Sequence, residues 1–261
     1  MNREAFEKIL SPFRQSSDAE AFWDEGAARF EAAKKTYGTQ LTEKVLYYLT
    51  DKALLTKNSA VLDIGCGAGR YALPFAAVAE RVTATDISAN MLKIVAKSAK
   101  AQGLDNLETL KSDWQALDRF GGYDLVFASM SPVMQSLQGL RLMSKLSRGY
   151  CTVARYISMR DPAAEVLRQG SDRPDPHQGR EEVWAIFNLL WLEGWQPEIT
   201  YLERICEAPI TLEQAAARYM YAQQDDLREK LADFLDDEGR VVTKSTTTLA
   251  LITWQVGNHK A

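Results

Sequence analysis

Over the first 58 positions apolar residues recur at helical spacing, as at Leu41, Val45, Tyr48 and Leu49, and never alternate with period two. The spacing predicts a helical segment over 1–58. From Ala60 the pattern becomes a series of short apolar runs, "AVLDIG", "RVTATDI", "LETLKSD", "YDLVFAS" and "GYCTVARYI", with helical stretches between them. Such alternation is the mark of βαβ units and a parallel sheet, so the fold class is α/β.

After Ser158 the rhythm breaks. "SMRDPAAEVLRQGSDRPDPHQGR", rich in proline and glycine, reads as a long loop with one helical turn. "EEVWAIFNLLWLEGW" then places Trp184, Phe187, Leu190 and Trp191 on one helical face, read as core, with Gly194 as the stop. "PEITYLERICEAPI" reads as a strand, and "TLEQAAARYMYAQ" and "DDLREKLADFLDD" as two helices of an insertion over 211–239. That insertion is expected to roof a site or to form a homodimer contact. The final "VVTKSTTTLALITWQV" is dense in β-branched residues and makes the seventh strand.

Composition narrows the class. A chain of 261 residues fits one domain with elaborations, here a helical segment 1–58 and a larger domain 59–261. Its 46% apolar and 25% charged residues match a soluble globular protein, and no apolar run approaches the roughly 20 residues that span a bilayer. The N-terminus lacks the features of a secretory signal, and Cys66, Cys151 and Cys206 are odd in number with no CxxC pair. A cytoplasmic protein with no disulfide, metal site or membrane partner is expected. A net charge of −4 weighs against a nucleic-acid partner, and the acidic run 225–238 reads as a solvated helix face.

Chemistry enters at "VLDIGCGAGRY", where Gly65, Gly67 and Gly69 form a GxGxG turn after the first strand. The spacing is neither the GxGxxG of dinucleotide folds nor the GxxxxGK of phosphate loops. Asp86 ends the second strand about 20 residues on, where an acid can accept hydrogen bonds from both hydroxyls of a ribose. After the third strand comes "KSDW", whose Asp113 can accept from an adenine amine and whose Trp114 can pack on a ring face. After the fourth comes "FASMSPVM".

With these motifs the chain resembles, from about Ala60 to Val256, the class I S-adenosylmethionine-dependent methyltransferases. The resemblance implies a Rossmann-like sheet of seven strands in the order 3-2-1-4-5-7-6, the last antiparallel, under an N-terminal helical lid. It implies S-adenosyl-L-methionine as cofactor and S-adenosyl-L-homocysteine as product. Asp63, Gly65, Cys66, Gly67 and Gly69 would lie near the methionine moiety, and Asp86 would take the ribose. Ile87 and Met91 would flank the adenosine, Asp113 and Trp114 would take the adenine, and Ser129 would border the cofactor. A sulfonium nucleoside carries no phosphate, which suits three acids at three strand ends. Cys66 is expected to pack rather than react.

The resemblance implies a small-molecule acceptor, methylated on O, N or C. The Asn/Asp-Pro-Pro-aromatic motif of many amino-methylating enzymes is absent after the fourth strand. Ser129, Ser131 and His177 are the candidates for a catalytic role, each with a packing or surface role as its alternative; His259 lies at the C-terminus. Arg155, Tyr156 and Arg160 could meet an anionic acceptor or sit on the surface. Trp23, Phe30 and Tyr37, seven residues apart, suit either a lid stripe or core packing. A protein or tRNA methyltransferase and a non-catalytic S-adenosylmethionine-binding module remain as alternatives.

Overall fold

The computed structural model describes residues 2–10, 19–36, 39–168, 178–219 and 226–256. Three helices, α1 (Arg3–Ile9), α2 (Ala19–Thr36) and α3 (Gln40–Asp51), precede the first strand. The α3 stripe buries Leu41, Val45 and Leu49, as its spacing predicts. Then β1 (Ala60–Ile64), α4 (Ala72–Ala76), β2 (Arg81–Asp86), α5 (Ala89–Gln102), β3 (Leu107–Lys111), β4 (Tyr123–Ser129), α6 (Leu137–Leu146) and β5 (Ser147–Arg160) follow. The chain continues through α7 (Pro162–Arg168), α8 (Gln178–Leu192), β6 (Glu198–Cys206), α9 (Leu212–Tyr219), α10 (Leu227–Lys230) and β7 (Ser245–Gln255).

The seven strands form one sheet in the order β3-β2-β1-β4-β5-β7-β6. β1 pairs in parallel with β2 and with β4, and all five of its residues are buried, which is why it reads as an unbroken apolar run around one acid. The direction of β7 follows from its bonds. Val256 N donates to the Gly149 carbonyl and Thr253 bonds Thr152, so residue numbers fall along β7 as they rise along β5, an antiparallel pair. The same holds against β6, where Ser245 meets Cys206 and Thr247 meets Arg204.

Register places the chemistry. Ile64 lies level with Thr85 on β2 and with Ala128 on β4, so the glycine turn, Asp86 and Ser129 emerge at one edge of the sheet. The chain crosses from β1 outward to β2 and later inward to β4, and ligands of open α/β sheets sit outside the carboxyl ends at that reversal. Phe127 of β4 packs on Phe75 of α4 at 5.0 Å edge-to-face and on Tyr71 at 4.8 Å, both phenylalanines wholly buried. Each such burial is worth about 1.5–3 kcal/mol. Trp254, also buried, donates its indole N–H to Ser144 Oγ at 2.9 Å.

The chain divides into two compact units. One comprises Met1–Arg155, Glu181–Leu202 and Ala250–Ala261; the other comprises Tyr156–Arg180 and Glu203–Leu249. The second has its own small core of Ala163, Leu167, Ala215, Leu227, Leu231 and Val241. Within it the buried Asp161 accepts from Tyr219 Oη at 3.1 Å and Thr243 Oγ1 at 3.2 Å.

Three expectations change. The stretch after Ser158 is not loop at its start: β5 runs on to Arg160, and Pro162 opens α7, a position where its missing N–H costs nothing. Residues 169–177 lie outside the described residues. On α8 the buried face is Val183, Ile186, Leu189 and Leu190, whereas Trp184 and Trp191 are 55% and 54% exposed, so the tryptophans are not core. In the acidic run, Asp236 serves as a turn anchor rather than a solvated helix position. It accepts from the backbone N–H groups of Glu238 and Arg240 and from Arg240 Nε, which hold its carboxyl below the usual range.

Candidate active site

The glycine turn is tied to the end of β2 by its backbone. Gly65 N and Cys66 N both donate to the Thr85 carbonyl, at 2.8 and 2.9 Å. Gly67 N donates to Asp86 Oδ2 at 2.9 Å, and Ser88 N to Asp86 Oδ1 at 2.8 Å. Each oxygen of Asp86 thus takes a backbone donor, and the Ile87 N–H adds a third, which together fix the carboxylate and leave lone pairs for a ligand. Burial pushes the Asp86 carboxyl up, opposed by those same N–H groups.

Two glycines are required for different reasons. Gly65 has φ +70°, and a Cβ there would meet Ser131 Oγ at 2.5 Å, so its hydrogen lets the end of β4 close on the turn. Gly67 has φ +54° and, among the described residues, nothing within 4 Å of its Cβ position, so the turn is open there. Cys66 is buried, with its thiol 3.5 Å from the Gly67 carbonyl, and Gly69 packs against Val95 and Leu73.

Asp63, two residues before the turn, is 2% exposed, and its Oδ2 has no hydrogen-bond partner among the described residues. Desolvation, then the charge of Asp86, pushes its carboxyl up to about 8, against one opposing bond from the Ala72 N–H. A buried acceptor without a donor is costly unless something fills it. An ammonium group would supply the missing donor.

The other predicted residues fall into two groups. Ser129, half-buried, ends β4; Met130 follows with φ +53°, and Ser131 is buried beside Gly65. Asp113 is exposed and caps the short helical turn Trp114–Arg119, its Oδ1 accepting from Gln115 N at 2.9 Å; Trp114 and Ile87 are half-buried. Met91 is buried with Ala27 of α2 and Ala68 of the glycine turn, and Trp23 packs on the same cluster. His177, His259 and Tyr37 lie outside the described residues.

Sequence reasoning missed Asp24 on α2. Its Oδ1 accepts from Ser88 Oγ and from Asn90 N at 3.0 Å, and Asn90 Nδ2 donates to its carbonyl at 3.4 Å. The Ser88 bond is the main reason its carboxyl sits below the usual range. Ser88 in turn caps α5, accepting from Met91 N at 3.1 Å. With the Lys111–Glu20 ion pair, these bonds dock α2 beside the carboxyl ends of β2 and β3. Glu182 was missed too: its Oε1 accepts from Arg155 Nη2 at 2.6 Å, and both side chains are largely buried. Burial pushes the Glu182 carboxyl up, and the Arg155 charge pulls it back.

Comparison with known proteins bears on the fold. Residues 61–148 match a family described as a methyltransferase domain. The chain is 37% identical over 149 residues to an uncharacterised protein of Haemophilus influenzae, covering 56% of this chain and 54% of that one. It spans about half or less of the length of the curated relatives it matches. Among solved structures, magnesium protoporphyrin IX methyltransferase from Synechocystis PCC 6803, with S-adenosylhomocysteine bound, superposes with TM-score 0.55 at 16% identity, over 95% of this chain and 99% of that one. A precorrin 8w decarboxylase from Methanobacterium thermoautotrophicum gives 0.53 at 19% identity, over 81% and 89%. At such identities the likeness is one of fold.

Proposed function

We propose that this chain, whose residues 61–148 match a methyltransferase-domain family, transfers a methyl group from S-adenosylmethionine to a small-molecule acceptor. The observation that carries the reading is the set of acceptors around an open glycine turn. Asp63 has an unpartnered buried oxygen for the ammonium, Asp86 has held lone pairs for the ribose hydroxyls, and Gly67 leaves room for close approach. Ile87, Trp114 and Asp113 would meet the adenine.

When bound, S-adenosylmethionine supplies a methyl carbon already activated by its sulfonium. The chain then has to align the acceptor and exclude water more than to supply a strong base. Ser129 and Ser131, at the end of β4, offer hydroxyls that can orient an acceptor heteroatom. Asp24 and Ala27 hold α2 beside the turn, so the helices of 1–58 would act as a lid.

A small acceptor is favoured by the missing Asn/Asp-Pro-Pro-aromatic motif and by the net charge of −4. Two partial relatives are named as acting on 23S rRNA and on protein isoaspartate, which makes macromolecules the rival acceptors. The test is incubation of the protein and methyl-labelled donor with a cell extract separated by size. Label in the small-molecule fraction is the expected result; label confined to RNA or protein would overturn the acceptor class.

A further inference from the structure

Arg155 is held in an incomplete set of contacts. It lies on β5 one step beyond Ala154, whose carbonyl accepts from Met130 N, so its side chain reaches the residues that follow β4. Nη2 donates to Glu182 Oε1 at 2.6 Å, but among the described residues Nη1 meets only the thioether sulfur of Met130, at 3.1 Å. Arg155 Nε and Glu182 Oε2 are buried without partners among the described residues. A thioether is a weak acceptor for a charged donor, whereas guanidinium is shaped to take a carboxylate or phosphate through two N–H groups.

Met130 itself is unusual. It is 46% exposed and has φ +53°, a conformation that a residue with a side chain adopts at a cost and that concentrates at functional positions. The next residue, Ser131, lies against Gly65 of the glycine turn. Contacts therefore run from the turn through Ser131 and its neighbour Met130 to Arg155 and Glu182. An acceptor atom must come within about 3–3.5 Å of the methyl carbon. The remainder of the acceptor would extend along those contacts.

The geometry points to Arg155 as the residue that selects an anionic acceptor, its Nη1 binding a carboxylate or phosphate group once Met130 swings aside, with Glu182 holding the guanidinium in place. This rests on the donor site proposed above. Glu182 is bonded to Nη2, which leaves Nη1 to the incoming anion.

The test splits a bacterial small-molecule extract on an anion-exchange resin and incubates each fraction with the protein and methyl-labelled S-adenosylmethionine. Label is expected from the resin-bound fraction, and Arg155→Met is expected to lower it about a hundredfold, the scale of losing one buried charged contact. Arg155→Lys, which keeps the charge and loses the fork, should retain part of it. Calorimetric affinity for S-adenosylhomocysteine should be unchanged in both variants, which shows that they fold. Label from the unbound fraction alone, or full activity in Arg155→Met, would overturn the assignment. Label from neither fraction, in protein that binds S-adenosylhomocysteine, overturns the small-acceptor reading and this one together. Absence of that binding in the unaltered protein marks failure of the donor site itself and removes the basis of both.

Discussion

With the methyl donor bound as proposed, Asp63 should make binding pH-dependent in a direction fixed by its surroundings. Its carboxyl, pushed up to about 8 by burial and by Asp86, is largely neutral at pH 7 in the free protein. Binding an ammonium beside Oδ2 would favour the carboxylate, so binding should release a proton, about 0.9 per site at pH 7. Affinity for S-adenosylhomocysteine should therefore weaken as pH falls. The ionised fraction drops from half at pH 8 to about one-hundredth at pH 6, a loss of about fiftyfold in affinity.

Stability of the free protein should run the opposite way. An acid whose folded value lies above its unfolded one holds extra protons in the folded state between pH 4 and 8, so stability falls as pH rises through that window. Asp86, also pushed up, adds to both slopes with the same sign, and Asp63→Asn separates the two contributions. The assay is calorimetry at pH 6, 7 and 8 in buffers of different ionisation enthalpy, which counts protons directly. A flat affinity with no proton released, in protein that binds the ligand, would refute the reasoning.

The remaining predictions test the frame around that acid. Gly65→Ala and Gly67→Ala share the cost of positive φ, about 1–2 kcal/mol, but only the first also collides with Ser131. Gly65→Ala should lower Tm more, while Gly67→Ala should keep a folded protein whose affinity for S-adenosylhomocysteine falls at least about tenfold, one lost contact of roughly 1.4 kcal/mol; equal Tm losses would contradict the geometry. Trp254→Ala removes a wholly buried indole and its bond to Ser144, and should cost about 3–5 kcal/mol in urea unfolding. Asp24→Ala should free α2 from Ser88 and Asn90, seen as faster hydrogen exchange over 19–36 and weaker ligand binding. Unchanged exchange there would show that Asp24 does not dock the helix.

The sheet was readable because period and spacing carry it. Five short apolar runs with helical crossovers marked the parallel strands and β-branched density marked β7, while the order of the strands came with the resemblance. The direction of β7 came only with the resemblance, since an apolar run reads alike in either direction. The tryptophans of α8 were misplaced because aromatic size suggested core, while the aliphatic face of Val183, Ile186 and Leu189 is what the helix buries. Among site residues, Asp63, Asp86 and the glycines stand at strand ends and announce themselves by position. Asp24 and Glu182 do not: each matters through a partner more than 20 residues away, and helix spacing says nothing about such pairs. Ser88, a cap before the α5 pattern, was the one local signal that an acceptor from elsewhere could meet.

One measurement bears most directly on the central claim, that the open turn between Asp63 and Asp86 is the site of the methyl donor. Folded protein is titrated calorimetrically with S-adenosylmethionine, S-adenosylhomocysteine, NAD and ATP, and again after Asp86→Ala. The account predicts single-site heat with the first two alone, lost in the variant. Absence of heat with both, or equal heat from the phosphate-bearing nucleotides, would contradict it.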